Sequence, residues 1–247
     1  SPNSVAANNS KQWAAVQYLQ PKDRGFGQRA STWKLTQGEA HHVPGARPTH
    51  QFFQSPLRGK FEIRAERPSA KSGEMMMSWG MFSAVPRKDL RAVCIAKTLT
   101  TVDDQKKALE LPGWNEASEI QIAVDGNRIT SSVNGVQFHE EVLVGTPSPW
   151  IVLRSPDAAD KAMISNLRIV GTPEIPEEID LVEMSGWACW RSDVYGESHS
   201  TDSADEKTSW KKAGDEIVGQ LRTDVSARPL ESLLMYQRPM LEDGEIE

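Results

Sequence analysis

The stretch that decides the fold runs from Glu119 to Glu140 and reads EIQIAVDGNRITSSVNGVQFHE. Ile120, Ile122 and Val124 alternate with polar or small neighbours before Asp125-Gly126 interrupts. Ile129 to Val133 resumes, Asn134-Gly135 interrupts again, and Val136-Gln137-Phe138 follows. Successive side chains of an extended strand point to opposite faces, so a period of two marks strands with one buried face. Asp-Gly and Asn-Gly suit tight hairpin turns because Gly, Asn and Asp accept the positive φ such turns require. The stretch therefore predicts three consecutive antiparallel strands and two tight turns.

Working outward, short runs rich in Val, Ile, Phe and Met recur between turn-forming clusters. They predict strands at Gly59 to Glu66, Glu74 to Phe82, Leu90 to Ala96, Trp150 to Ser155 and Met163 to Val170. Amphipathic helical patterns are scarce; Asp103 to Glu110 is read as one or two helical turns, and Pro147 and Pro149 mark a loop. Many short strands separated by turns form an all-β, antiparallel two-sheet jelly-roll sandwich.

The chain also repeats itself. Trp13-Ala14, Phe26-Gly27, Thr32-Trp33-Lys34, Gly38-Glu39, Phe53-Gln54-Ser55-Pro56-Leu57 and Gly59-Lys60-Phe61-Glu62 occur in that order. Trp187-Ala188, Tyr195-Gly196, Ser209-Trp210-Lys211, Gly214-Asp215-Glu216, Tyr236-Gln237-Arg238-Pro239-Met240 and Gly244-Glu245-Ile246-Glu247 follow the same sequence of types. Self-similarity of this kind signals duplicated structural units. The expected organisation is a complete jelly-roll domain over 10–172, a linker over 173–186, and the truncated start of a second, homologous jelly-roll domain over 187–247.

Composition narrows the function. The 247 residues carry 28 Lys+Arg against 34 Asp+Glu, a net charge of −6, with no basic stripe of the kind phosphate backbones require. A nucleic-acid partner is therefore not expected. No apolar run approaches the length of a membrane span, so membrane insertion is not expected either. The two cysteines, Cys94 and Cys189, lack metal-ligand spacing and read as buried thiols, with a single bridge between them as the alternative.

Trp114-Asn115, Ile120-x-Ile122, Asp125-Gly126-x-x-Ile129, Val133-Asn134-Gly135-Val136 and Ile164-x-Asn166-Leu167-Arg168-Ile169 together resemble the concanavalin-A-like jelly-roll superfamily. Within it, the segment is most similar to laminin-G-type domains and to the domain called 3-keto-disaccharide hydrolase. The duplicated Trp-Lys, Gly-Glu and aromatic-Gln-x-Pro pattern resembles a family of large planctomycete-type bacterial proteins with tandem domains of this kind. The resemblance implies an extracytoplasmic or cell-surface location. It also implies a non-catalytic module that binds carbohydrate or a protein partner, with a glycoside-processing enzyme as the alternative.

Candidate site residues follow from that alternative and from the aromatic content. Laminarinase-like glucanases of this fold carry Glu-x-Asp-x-x-Glu, because a retaining glycosidase needs two carboxyls about 5 to 5.5 Å apart. Glu178-Ile179-Asp180-Leu181-Val182-Glu183 matches that spelling, and by resemblance Glu178 is the nucleophile, Asp180 its support and Glu183 the acid/base. The position between Pro-containing repeats favours an acidic linker instead. Aromatic rings stack on the apolar faces of sugars while neighbouring polar groups bond the hydroxyls. Trp79 and Trp150, flanked by Arg64, Arg91 and Arg154 and with Glu74 nearby, are the expected ligand-binding set. Trp13, Trp33, Trp187 and Trp210 occupy repeat landmarks and are expected in the core.

No metal site is expected. Adjacent His41 and His42 point to opposite faces of a strand, and His50, His139 and His199 complete no triad with them. Calcium, common in jelly rolls, is the one ion that oxygen donors at Asp125, Asn127 and Asn134 could take, although turn formation already accounts for all three.

Overall fold

The computed structural model describes residues 4–5, 13–16, 31–36, 39–45, 50–67, 76–80, 82–86, 92–96, 109–110, 118–155, 161–181, 187–192, 210–219, 231–236 and 238–239. All regular structure among them is β. Strands β1 (Ser4–Val5), β2 (Trp13–Val16), β3 (Thr32–Thr36), β4 (Glu39–Val43), β5 (His50–Phe53) and β6 (Arg58–Arg67) come first. They are followed by β7 (Met76–Trp79), β8 (Phe82–Pro86), β9 (Ala92–Ala96), β10 (Leu109–Glu110), β11 (Ser118–Asp125), β12 (Arg128–Val133) and β13 (Val136–Val142). Strands β14 (Val152–Arg154) and β15 (Met163–Glu174) complete the sandwich, and β16 (Trp187–Ser192), β17 (Trp210–Ala213), β18 (Glu216–Gly219) and β19 (Glu231–Tyr236) follow. The expected helical turns at Asp103 to Glu110 give way to strand at Leu109–Glu110, which pairs with β9; residues 103–108 lie outside the described residues.

The deciding stretch folds as its alternation requires. Strands β11, β12 and β13 form an antiparallel meander, with Ile120, Ile122, Val124, Ile129 and Val133 buried. The first turn falls one residue later than Asp125-Gly126. Asp125 pairs with Arg128 and the loop is Gly126-Asn127, with φ +60° at Gly126. The second is Asn134-Gly135 with φ +50° and +76°. Glycine in the first loop position and Asn-Gly with two positive φ values are the two hairpin loops whose twist matches that of strands.

Two antiparallel sheets share one core. The eight-stranded sheet runs β13-β12-β11-β6-β15-β4-β3, with β1 added against β15. The seven-stranded sheet runs β10-β9-β8-β7-β14-β5-β2. The first contributes Phe61, Ile63, Ile122, Ile129 and Ile169 to the core, and the second contributes Trp13, Phe53, Met77, Trp79 and Leu153. Phe61 meets Trp79 edge-on across the gap at 5.9 Å, joining the two layers. Full burial of each such side chain stabilises by about 1.5–3 kcal/mol, so this interdigitation dominates the energetics of the sandwich.

The chain divides into two compact units. One comprises residues 1–17, 29–176 and 239–247, and holds both large sheets; the other comprises residues 18–28 and 177–238. In the second unit β16 pairs with β19 and β17 pairs with β18, each as a two-stranded ribbon. Strand β15 extends to Glu174, two residues into the expected linker.

Candidate functional site

Alternation that buries one face of β6, β11, β12 and β15 leaves the other outside the core, and the register aligns its side chains in rows. Arg168, Arg64, Gln121 and Ser132 are opposed across four neighbouring strands. Val170, Glu62, Ala123 and Thr130 form the next row, and Thr172, Lys60, Asp125 and Arg128 the one after. The last two rows and Arg64 line an open depression of about 570 Å³. Its centre lies over small side chains, Ala123 and Val170, beside Gly171. Its rim is charged.

Each rim cation meets a carboxylate. Lys60 Nζ donates to Asp125 Oδ2 at 2.8 Å, directly across β6 and β11. Arg64 Nε donates to Glu62 Oε2 at 2.7 Å along its own strand, and Arg64 Nη1 lies 3.8 Å from Glu119 Oε1. Arg128 donates to Glu140 of β13. Arg168 Nη2 donates to Glu119 Oε2 at 2.6 Å, so Glu119 sits between two guanidinium groups. The hydrogen bond and charge of Asp125 raise the Lys60 ammonium above its ordinary value of 10.5.

A bulge in β15 aims Arg168. The register against β6 shifts between Ser165 and Arg168, and Asn166 takes φ +50°, a conformation its short polar side chain tolerates. Leu167 is consequently buried while Arg168 lies over the outer face, its Nη1 donating to the Asn166 carbonyl at 3.1 Å.

The residues expected to bind ligand are not brought together. Arg64 lies on the outer face just described. Arg154 belongs to β14 of the other sheet, between His50 and Met76, on the face opposite core residues Leu153 and Met77. Trp79 and Trp150 are 1% and 3% exposed, which corrects their expected role: neither offers a ring to a sugar. Trp79 spends its indole N–H on the Leu57 carbonyl at 2.9 Å and packs on Phe61. Arg91, Glu74 and Glu183 lie outside the described residues. Glu178 and Asp180 are exposed in an irregular segment after β15, so no strand holds them on a common face as the glucanase pattern requires.

The turn residues that carry oxygen donors bond neighbouring main-chain groups and Lys60. Asp125 and Asn127 flank one end of β12 and Asn134 follows the other, some 20 Å away at about 3.3 Å per residue. Asp125 accepts from Lys60, Asn127 donates to the Gly145 carbonyl, and Asn134 Oδ1 accepts the Glu119 N–H. His41 and His42 do diverge: His41 bonds Glu39 at the surface, whereas His42 is buried against Trp33 with ring centres 5.0 Å apart.

Fold and site define an antiparallel β-sandwich with a polar, open sheet face. A family model described as a protein of unknown function, DUF1581, matches residues 121–210. No curated protein matches the chain at a significant level. Similar solved structures include a sialidase, at 9% identity and TM-score 0.43, covering 68% of this chain; the chain spans 18% of that protein's length. Another is a protein of unknown function with a galectin-like fold from Bacillus subtilis, at 10% identity and TM-score 0.42, covering 68% of this chain and 94% of that one. A third is the exoplasmic/lumenal domain of VIP36 in a Ca2+/Man2-bound form, at 6% identity and TM-score 0.43, covering 71% and 86%. Identities of this size assign no ligand and no residue role to this chain.

Sequence reasoning singles out Arg64 and, as a turn oxygen donor, Asp125, but not Lys60, Glu62, Arg128 and Thr130. Their parity on the strands was the available signal, since each falls on the face opposite a run of buried Ile, Val or Phe.

Proposed function

We propose that the chain is a non-catalytic module that binds a neutral glycan on the outer face of the eight-stranded sheet. The observation that supports this most directly is the open depression in which fixed charges of both signs surround a small-residue floor. Sugar hydroxyls donate and accept, and a rim of positioned carboxylates and guanidinium groups satisfies both with charge-assisted hydrogen bonds. Ala123 and Val170 supply apolar surface for the C–H side of a ring. Charge balance favours a neutral ligand: Lys60, Arg64 and Arg128 are already met by Asp125, Glu62 and Glu140.

The test is a binding screen against neutral and acidic polysaccharides at low and high salt, with the wild type, Arg64→Ala and Arg128→Ala. Binding to a neutral glycan, little altered by salt and at least tenfold weaker in either variant, is the expected result. Preference for acidic glycans that disappears with salt, or retention of no glycan at all, defeats the proposal; the latter leaves a protein partner.

A glycoside-processing role has one observation in its favour. Glu62 and Asp125 are diagonal neighbours across β6 and β11, at strand positions about 7–8 Å apart. An inverting glycosidase holds its two carboxyls about 6.5–9.5 Å apart. Each carboxylate here is already held by a cation, which favours the binding role. Hydrolysis abolished by Glu62→Gln and by Asp125→Asn would reverse that preference.

A further inference from the structure

We infer that the second unit repeats the two edge ribbons of the sandwich, and that these ribbons accept added strands of the β14 and β15 type along their outer edges. The inference rests on strand register. In the first unit Trp33 pairs with His42, Lys34 with His41, Leu35 with Ala40 and Thr36 with Glu39. In the second unit Trp210 pairs with Gly219, Lys211 with Val218, Lys212 with Ile217 and Ala213 with Glu216. Each tryptophan faces the residue nine positions on, and each ribbon closes at the same step.

The other ribbon repeats as well. Trp13 pairs with Phe53 and Ala14 with Phe52, while Trp187 pairs with Tyr236 and Ala188 with Met235. Phe53 and Tyr236 are the aromatic residues of the two aromatic-Gln-x-Pro landmarks. The chain between the paired strands differs in length in the two units, so loop length does not impose this agreement. Duplicated sequence that folds into duplicated pairing accounts for both ribbons together.

The repeat dictates what fits its edges. In the first unit β5 takes β14 on its far side, with Leu153 opposite Gln51, and β4 takes β15, with Ile164 opposite Ala40. Among the described residues, β19 pairs with β16 and β18 with β17, and no other strand is seen beside them. The equivalents of Gln51 and Ala40 are Leu234 and Ile217. A strand edge is a template for further pairing, and its main-chain groups supply the affinity while alternate side chains supply the register. The occupant is therefore a segment with the alternation of residues 147–174, donating one strand to each ribbon.

The test adds a synthetic peptide of residues 147–174 to the full chain. In a Cys94→Ser, Cys189→Ser background, peptide bearing Ile164→Cys activated as its thionitrobenzoate disulfide should exchange with the thiol of Ile217→Cys, releasing thionitrobenzoate, at least tenfold faster than with that of Asp215→Cys in the exposed turn. In the wild-type chain, which needs no substitution to fold, the unmodified peptide should slow amide exchange of 216–219 and 231–236 at least tenfold, and an Ile164→Pro peptide should not slow it at 216–219. Equal capture at 215 and 217 overturns the inference. So does unchanged exchange in the second unit, or slowing confined to the first.

Discussion

The two sheet faces that point away from the core are built from similar strands and differ in what covers them. On the eight-stranded sheet, β6 and β12 alternate strictly, and Lys60, Asp125 and Arg128 stand in solvent. On the seven-stranded sheet every residue of β5 and β7 is buried, including His50, Phe52, Met76 and Ser78, which lie opposite the core side. The first face can lose a charge without exposing apolar surface, because exposed ion pairs contribute about 0–1 kcal/mol each. The second cannot lose an aromatic ring without leaving a cavity. Exposed charge and buried packing are thus divided between opposite sides of one sandwich.

The sharpest way to break this contrast is Phe52→Ala. Phe52 is fully buried outside the central core cluster, and its truncation should cost about 3–5 kcal/mol in chemical denaturation, as for a core Phe. A loss below about 1 kcal/mol would show that this face is an accessible surface after all, and would return Arg154 beside it to the ligand-binding set.

A smaller effect sharpens the polar side. Gly171 has φ +121°, and a Cβ there would stand 2.8 Å from the Lys60 carbonyl and 2.9 Å from the Phe61 Cα. Both obstacles are backbone of β6, so Gly171→Ala should cost at least about 2–3 kcal/mol by strain and displacement of the depression's floor. Gly126→Ala, where a Cβ meets nothing within 4 Å, should cost about 1–2 kcal/mol through its φ alone. Equal losses in thermal denaturation would refute the close approach of β15 to β6.

The smallest effect is electrostatic. Asp125 raises the Lys60 pKa in the folded chain above the unfolded value of 10.5. Stabilisation from the pair is therefore fully present below pH 10.5 and lost as pH rises through the higher folded value. The stability difference between wild type and Lys60→Met should stay level from neutral pH to about 10 and shrink at more alkaline pH. A difference that instead grows with alkalinity would mean that Asp125 is not the partner of Lys60.

The meander from Ser118 to Val142 was legible because its contacts are local: alternation fixes the buried face, and Asn134-Gly135 fixes the second turn, while Asp125-Gly126 marks the first one residue early. The same alternation made Trp79 ambiguous. In a run of Met76, Met77, Ser78 and Trp79, apolar residues occupy both parities, and nothing local says that both faces are covered. Glu178 and Asp180 matched a catalytic spelling, yet spelling carries no strand, and the structure gives them none.

The amino-acid order by itself determined the all-β class, the hairpin turns and the parity of each long strand, because these depend on residues a few positions apart. Only the tertiary structure decided that β6 lies between β11 and β15, bringing Lys60 to Asp125 and Arg64 to Glu119 across separations of 65 and 55 residues. Parity says which face of a strand is buried but not which strand lies beside it. That choice is made by burying Phe61, Ile63, Ile122 and Ile169 together in one core, a property of the whole chain and not of any segment.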